Sequence, residues 1–294
     1  MGRMSNMINK IKSIILMTKP KQLVLLMITM YGSYFIARGP LDLLRLTLLT
    51  LVGIGSAGGV TALNMYLEYD IDSVMKRTSN RPLPARALEP GEALMAITLL
   101  ILIGVISGYL INKYVAFAAL TGLYFDIIAY TELAKRRTEW ALLFGSVAGS
   151  MPALGGWVAG RGSITLTGLL LSAIVYVWQP LHVAFIHYYY EDDYQRAGIP
   201  TIPSRLGYKA FAKLAISSIV LAIILIWSTI LLLGEGYATG MLSTLLGIGA
   251  LSSIARFLNS PSREAARKMI KFASPLVGVF FILLPIEIIL SNIV

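Results

Sequence analysis

The fold is decided by apolar stretches such as residues 94–111, LMAITLLILIGVISGYLI, which contain no charged side chain. A helix of about 20 predominantly apolar residues crosses the hydrocarbon core of a bilayer. The composition points the same way, because 56% of the 294 residues are hydrophobic and only 14% are charged, whereas soluble domains carry about 25% charged residues. We therefore predict an all-α, polytopic membrane protein.

Nine segments are apolar enough to span a membrane, at residues 22–37, 43–67, 92–111, 114–133, 140–160, 164–187, 211–233, 238–258 and 272–292. Membrane β-strands would be about half as long and would alternate in polarity. Only Asn112 and Lys113 separate the third and fourth spans, which predicts a tight antiparallel pair. We expect one transmembrane domain over residues 1–294, with a cytoplasmic segment at 1–20 and cytoplasmic cap loops at 68–91 and 188–210.

The basic residues fall almost entirely on one side of this arrangement. They lie in the N-terminal segment or in and around every second loop, with four exceptions: Arg38, Arg45, Lys113 and Arg161. Because basic loops remain in the cytoplasm, we predict a cell-membrane protein with a cytoplasmic N-terminus and an external C-terminus. The net charge of +10 then reflects membrane topology, and we expect no nucleic-acid partner.

The second span ends in a polar stripe made of Asn64, Glu68 and Asp72. On a helix these positions share one face, because they are four residues apart. Amide and carboxylate oxygens suit Mg²⁺, which takes one or two carboxylates together with substrate phosphates. The plainer alternative is a charged helix end among lipid headgroups. Against it, carboxylates oppose the dipole of a helix C-terminus, and a buried Asn64 amide needs a partner.

A second acidic cluster, Glu191, Asp192 and Asp193, follows the sixth span on the same predicted side. Adjacent acids fan around a helix and cannot all face one cation, so the sequence leaves Asp192 and Asp193 as alternatives. Each acidic cluster is followed by a loop with proline and arginine and then by two further spans. This pattern indicates a weak parallel repeat, which would place a shared site between its halves.

Basic residues accompany the acidic clusters, at Lys76, Arg77, Arg81, Lys135 and Arg136. Each of them alone is a common topology signal. Together, acids that hold a metal ion and cations that hold an oxyanion indicate a diphosphate. We therefore predict a membrane-embedded enzyme that binds a diphosphate substrate at the cytoplasmic face, with Arg81 and Lys135 as the leading diphosphate ligands.

Polar groups inside a membrane are usually functional, and four such residues lie within predicted spans: Asp126, His182, His187 and Glu287. Asp126 should face a cavity, either paired with a basic residue or protonated. Of the two histidines, His182 is the better candidate. Aromatic side chains such as Tyr130 and Trp178 border the acids and would stabilise a cation between their faces, although packing accounts for most such residues.

The run from Asn64 through Glu68 and Asp72 to Arg77-Thr78-Ser-Asn-Arg81-Pro82 resembles the first motif of the UbiA superfamily of intramembrane prenyltransferases. Further features are similar to its heme O synthase branch: Thr18-Lys19-Pro20, Tyr130-Thr131, Lys135-Arg136-Arg137-Thr138, Trp178-Gln179 with His182, and Asp193-Tyr194-x-x-Ala197-Gly198-Ile199-Pro200. The resemblance covers about residues 18–205.

This resemblance implies nine helices around a central cavity and farnesyl transfer from farnesyl diphosphate to a vinyl group of heme b, which is a substrate. It implies Mg²⁺ on Asn64, Glu68, Asp72, Asp192 and Asp193, diphosphate on Lys76, Arg77, Arg81, Lys135 and Arg136, and heme or another acceptor beside Tyr130, Trp178 and His182. Terminal oxidase assembly proteins are the partners it suggests. The alternatives are prenyl transfer to a quinone precursor or a glycerol-based lipid and, outside the superfamily, a transporter.

Overall fold

The computed structural model describes the backbone of residues 2–291 and the side chains of residues 7–270 and 275–291. Within residues 2–291 the chain is helical and contains no β-strand, which confirms the all-α prediction. Its elements are α1 (Gly2–Met17), α2 (Pro20–Ile36), α3 (Leu43–Val52), π1 (Gly53–Gly58), α4 (Gly59–Leu67), α5 (Tyr69–Val74), α6 (Pro90–Ile111), α7 (Lys113–Leu123), π2 (Tyr124–Ala134), α8 (Ala141–Arg161), α9 (Leu166–Tyr189), α10 (Glu191–Arg196), α11 (Ile202–Leu233), α12 (Tyr237–Asn259) and α13 (Arg263–Ser291).

Eight helical segments of the described chain are long and apolar enough to cross a membrane. A ninth span results if α1 and α2, which meet at a bend of 52°, count as one. The first predicted span, 22–37, therefore needs correction, because α2 alone has only 17 residues. The bend lies at Lys19, whose φ of 48° is left-handed. Lys19 precedes Pro20, and a proline disfavours the helical conformation in the residue before it.

Two further helices begin earlier than predicted. α11 starts at Ile202 instead of 211 and contains a non-helical Gly207 (φ 77°, ψ 167°) after its first turn. α13 starts at Arg263 instead of 272. Hydropathy locates the apolar part of a helix but misses a polar extension beyond it. Residue 292, the predicted end of the last span, lies outside the described residues.

The connection between α6 and α7 has the predicted tight form. α6 ends at Ile111 and α7 begins at Lys113. The Asn112 side chain caps α7 by accepting hydrogen bonds from the backbone N–H groups of Tyr114 (2.9 Å) and Val115 (3.1 Å). This cap satisfies donors that the first helical turn leaves without partners.

The first acidic stripe does not lie on one continuous helix, which corrects the prediction. α4 ends at Leu67, Glu68 has φ −99° and ψ 14°, and α5 follows immediately. The second acidic cluster has the same build, because α9 ends at Tyr189, Tyr190 has φ −107° and ψ 28°, and α10 follows. Asp70 and Asp72 lie in the first turn of α5, and Glu191, Asp192 and Asp193 lie in the first turn of α10, where the helix dipole favours negative charge.

Close helix packing holds the span formed by α3, π1 and α4 against α6. A Cβ added to Gly104 would lie 2.2 Å from the backbone nitrogen of Ser56, and one added to Gly55 would lie 2.5 Å from the backbone nitrogen of Gly104. Small residues allow this approach, as in many membrane helix pairs. The contact fixes the position of π1, which forms part of the cavity wall described below.

Candidate active site

Asn64 and Glu68 form the centre of a buried polar cluster at one end of the helical bundle. The Asn64 amide donates to Glu68 Oε1 (3.3 Å) and to Thr131 Oγ1 (2.7 Å). Lys135 Nζ lies 2.5 Å from the same Glu68 oxygen. Side-chain exposure is 4% for Glu68 and 13% for Lys135, so this charge pair is screened little by solvent.

Asp72 forms a second buried pair with Arg81. One guanidinium nitrogen of Arg81 lies 2.7 Å and 2.5 Å from the two carboxylate oxygens. The Asp72 backbone N–H donates to the Glu68 carbonyl at 2.8 Å, across the break between α4 and α5. This backbone hydrogen bond spans the break and keeps Asp72 one turn after Glu68. A buried charge requires such a partner, and each of these acids has its own cation.

Asp193 joins the second motif to the first. Its carboxylate accepts hydrogen bonds from the backbone N–H groups of Lys76 (3.1 Å) and Arg77 (3.2 Å), and it is paired with Arg196. Although burial alone would raise the pKa of Asp193, these hydrogen bonds hold it below the usual aspartate value. Both acidic motifs therefore meet at the same end of the molecule, as a shared site requires.

Asp192 has a different environment. Its side chain is 58% exposed and lies 2.5 Å from Arg263. The hydrogen bond from Arg263 lowers the pKa of Asp192 below its usual range. Of the two alternatives that the sequence leaves open, Asp193 is the one that contacts the loop after the first motif.

The predicted basic residues divide into three groups. Arg81 and Lys135 contact the buried acids. Lys76 and Arg77 line a separate surface pocket of about 480 Å³ that also contains Asp192 and Asp193, where Arg77 lies 4.6 Å from the centre of the Tyr190 ring. Arg136 instead forms an exposed pair with Asp70 (2.8 Å) and is not among the residues that line either pocket.

A cavity of about 510 Å³ lies within the bundle, and its lining includes Tyr130 but not Asn64, Glu68, Asp72 or Lys135. Its wall is mostly apolar, and its polar wall residues include Asp126, Tyr130, Gln179 and His182. Tyr130 connects the cavity to the charged cluster, because Lys135 Nζ lies 5.3 Å from the centre of its ring. The volume falls within the usual range of small-molecule sites.

The π2 segment explains why Tyr130 and Lys135 lie together. The Lys135 N–H donates to the Tyr130 carbonyl, five residues earlier, at 2.8 Å. Thr131 Oγ1 donates to the Asp126 carbonyl, also five residues earlier, at 2.7 Å. A wider turn of this kind places residues five apart on one face, and such segments are frequent at functional sites. The sequence carried no signal for it.

The two histidines lie in different environments. His182 lines the cavity and stacks on Trp178, with ring centres 5.0 Å apart and planes at 17°. Its buried Nδ1 has no hydrogen-bond partner within the described residues. His187 is buried, meets the edge of Tyr194 at 4.6 Å and is absent from the cavity lining.

Two residues have roles that the sequence left open or missed. Glu287 in α13 caps α12, because its carboxylate accepts hydrogen bonds from the N–H groups of Ala238 (3.1 Å) and Thr239 (2.9 Å). Lys19, which was not a predicted site residue, interacts electrostatically with Glu68, Arg81, Lys135 and Asp126. The motif Thr18-Lys19-Pro20 was the only signal for it.

The oxygen ligands fit a magnesium ion that is completed by a substrate. Within the described side chains, no three acidic or histidine groups are close enough together to hold one metal ion. The five predicted ligands therefore do not form a complete protein cage. Mg²⁺ commonly takes only one or two carboxylates, with phosphate oxygens and water in its other positions, and the pair Glu68 and Asp72 suits that arrangement.

The chain matches the family model described as the UbiA prenyltransferase family over residues 25–281. The chain belongs to the UbiA prenyltransferase family. Its relatives within this family include the protoheme IX farnesyltransferase of Aeropyrum pernix, 48% identical over 286 residues that cover 97% of this chain and 95% of the relative. The protoheme IX farnesyltransferase of Korarchaeum cryptofilum is 40% identical over 95% of this chain and 94% of its own.

Solved structures of UbiA proteins share the fold. A digeranylgeranylglyceryl phosphate synthase superposes with a TM-score of 0.78 at 20% identity, over 95% of this chain and 98% of that one. A UbiA homologue from Archaeoglobus fulgidus bound to GPP and Mg²⁺ superposes with a TM-score of 0.68 at 13% identity, over 92% and 98%. The UbiA assignment confirms the resemblance found in the sequence and removes the transporter alternative.

Proposed function

We propose that this multi-pass membrane prenyltransferase transfers a farnesyl group from farnesyl diphosphate to a vinyl group of heme b. The observation that carries the proposal is the pair of buried ion pairs, Glu68 with Lys135 and Asp72 with Arg81, beside an apolar cavity that contains His182. Curated relatives named protoheme IX farnesyltransferase, up to 48% identical over nearly the whole chain, support heme b as the acceptor.

The diphosphate is assigned to the charged end of the cavity. Lys135 and Arg81 carry several N–H donors each, so each can bind a phosphate oxygen while it remains close to its carboxylate. Lys19 adds a third positive charge. These fixed cations stabilise the negative charge that develops on the leaving diphosphate, and preorganised charges of this kind are a large contribution to catalysis.

Magnesium is assigned to the first motif, with Asn64, Glu68 and Asp72 as its ligands, because no three acids of the described residues are close enough to share one ion. Asp193, from the second motif, instead holds the loop after the first motif through the N–H groups of Lys76 and Arg77. The ion would withdraw electrons from the diphosphate oxygens and so make the diphosphate a better leaving group. The amide of Asn64 positions the Glu68 carboxylate through their hydrogen bond. Asp192, exposed and paired with Arg263, is not needed as a ligand.

The isoprenyl chain and the acceptor are assigned to the cavity. Apolar walls from α2, π1, α7, α8 and α9 would surround the isoprenyl chain, and a site that keeps out bulk water protects an allylic cation from premature capture. The Tyr130 ring would stabilise that cation through its face. His182 and Trp178 form a flat stacked surface for the heme, and the Nδ1 of His182, which has no partner within the described chain, makes it the candidate heme ligand.

We assign the orientation of the protein in the membrane from the distribution of its basic residues. The cytoplasmic side carries the N-terminus and the diphosphate site, and the C-terminus is external. The Lys10–Glu92 ion pair (2.5 Å) joins α1 to the start of α6. It supports the placement of these two segments on the same side of the membrane. Terminal oxidase assembly proteins remain the predicted recipients of the product.

A product assay tests the proposal. The purified protein in lipid nanodiscs is incubated with farnesyl diphosphate and Mg²⁺, with either heme b or an aromatic acid as the acceptor, and the products are analysed by mass spectrometry. We expect heme whose mass has increased by farnesyl plus water, released together with diphosphate. Prenylation of the aromatic acid in place of heme would contradict the assignment and favour a quinone precursor.

A further inference from the structure

The cavity contains one acidic side chain that the proposed function does not use. Asp126 lies in π2, inside a membrane span, and lines the cavity together with Tyr130 and His182. No hydrogen bond or ion pair to the described residues engages its carboxylate, and the charges that act on it are those of Lys19, Glu68 and Lys135. An ionisable group at this depth is energetically costly, and such groups usually mark a functional site.

We propose that the Asp126 carboxylate is the base that accepts the proton of the water molecule that completes the transfer. This inference rests on the proposed function. A base must lie within hydrogen-bond reach of the proton, or one water molecule away. Among the described residues that line the cavity, Asp126 is the one that carries a carboxylate. The backbone carbonyl of Asp126 accepts a hydrogen bond from Thr131 Oγ1, which holds this turn of π2 in the cavity wall.

The reaction balances without an oxidant or reductant. The bond between C1 of the farnesyl group and the diphosphate oxygen breaks, and the electron pair leaves with the diphosphate. The vinyl group then forms a carbon–carbon bond to C1, which leaves a cation on the carbon next to the porphyrin. A water oxygen bonds to that carbon, and the oxonium loses its extra proton to Asp126. The product is a hydroxyethylfarnesyl heme.

The same cation has a competing outcome. If Asp126 does not activate water, the neighbouring CH₂ group loses a proton to the released diphosphate instead, and the product is an alkene that is one water lighter. The ratio of hydrated to dehydrated product therefore reports on the base directly. A residue that only supports the fold would lower both products together and leave this ratio unchanged.

The test compares Asp126→Asn, Asp126→Glu and wild type in the nanodisc assay, with both products quantified by mass. Glu132→Gln is the matched control, because Glu132 is an exposed carboxylate on the same π2 segment. We expect Asp126→Asn to raise the dehydrated fraction at least tenfold, Asp126→Glu to recover most of the hydrated product, and Glu132→Gln to match wild type. An unchanged product ratio in Asp126→Asn would overturn the inference.

A second measurement covers a variant that forms no product. Formate added to Asp126→Gly supplies a small carboxylate to the space that the side chain leaves, and we expect it to restore hydrated product in proportion to its concentration. If Asp126→Asn is inactive and formate restores nothing, the inference is wrong. If wild type forms no prenylated heme, the failure is that of the proposed function, so the two failures are distinguishable.

Discussion

At the scale of single residues, the proposed chemistry depends on the buried carboxylates and their cations. Asp72 accepts hydrogen bonds from Arg81 on both of its oxygens, whereas Asp70, two residues earlier, forms an exposed pair with Arg136. We expect Asp72→Asn to lower kcat by about 100-fold, a loss typical of one missing electrostatic group in an active site. Asp70→Asn should stay within about twofold of wild type. Full turnover by Asp72→Asn would refute the metal assignment.

The two histidines provide a second comparison at this scale. His182 faces the cavity with Trp178, whereas His187 packs against Tyr194. We expect His182→Ala to shift the heme absorption spectrum and to weaken heme binding about tenfold, which corresponds to about 1.4 kcal/mol. His187→Ala should leave the spectrum unchanged. Identical heme titrations for wild type and His182→Ala would remove His182 as a ligand.

The sequence predicts individual site residues better than their partners. The spacing of Asn64, Glu68 and Asp72 predicted one helix face, but the helix breaks at Glu68. Arg81 and Lys135 contact the buried acids, and their role as diphosphate ligands stays a prediction. The pairing of Lys135 with Glu68 depends on how π2 packs against α4, and no local pattern reports it. Lys19 was missed for the same reason, since only the folded chain brings it to the acids.

At the scale of helices, the apolar spans were predictable and their irregularities were not. A run of about 20 apolar residues indicates a membrane span, and α6, α8, α9 and α12 were predicted from such runs. The breaks at Glu68 and Tyr190 each change the backbone of one residue, and π1 and π2 each widen a helix without altering its composition. Such features leave no trace in hydropathy, yet they aim the acids and the cavity residues.

The contact between π1 and α6 gives a prediction at this scale. Gly104→Ala would place its new methyl group against the backbone of Ser56, and overpacking of this kind costs about 1–3 kcal/mol. We expect a lower Tm in detergent together with reduced activity. Gly249→Ala is the matched control, because a Cβ there meets no atom within 4 Å. Equal thermal stability of the two variants would show that π1 and α6 can move apart without a loss of stability.

At the scale of the whole molecule, the orientation in the membrane can be tested cleanly because the sequence contains no cysteine. We expect a membrane-impermeant thiol reagent to label Ser163→Cys, between α8 and α9, in intact cells. Ser260→Cys, between α12 and α13, should react only in inside-out vesicles. Both positions are exposed. The opposite labelling pattern would invert the topology and place the diphosphate site outside the cytoplasm.

The two wide-turn segments also limit how far the chain tolerates a change in length. π segments are rare in proteins and are frequent at functional sites. Deleting one residue between Asp126 and Thr131 should therefore inactivate the protein even where its helices still assemble, because Asp126 would rotate away from the face it now shares with Thr131.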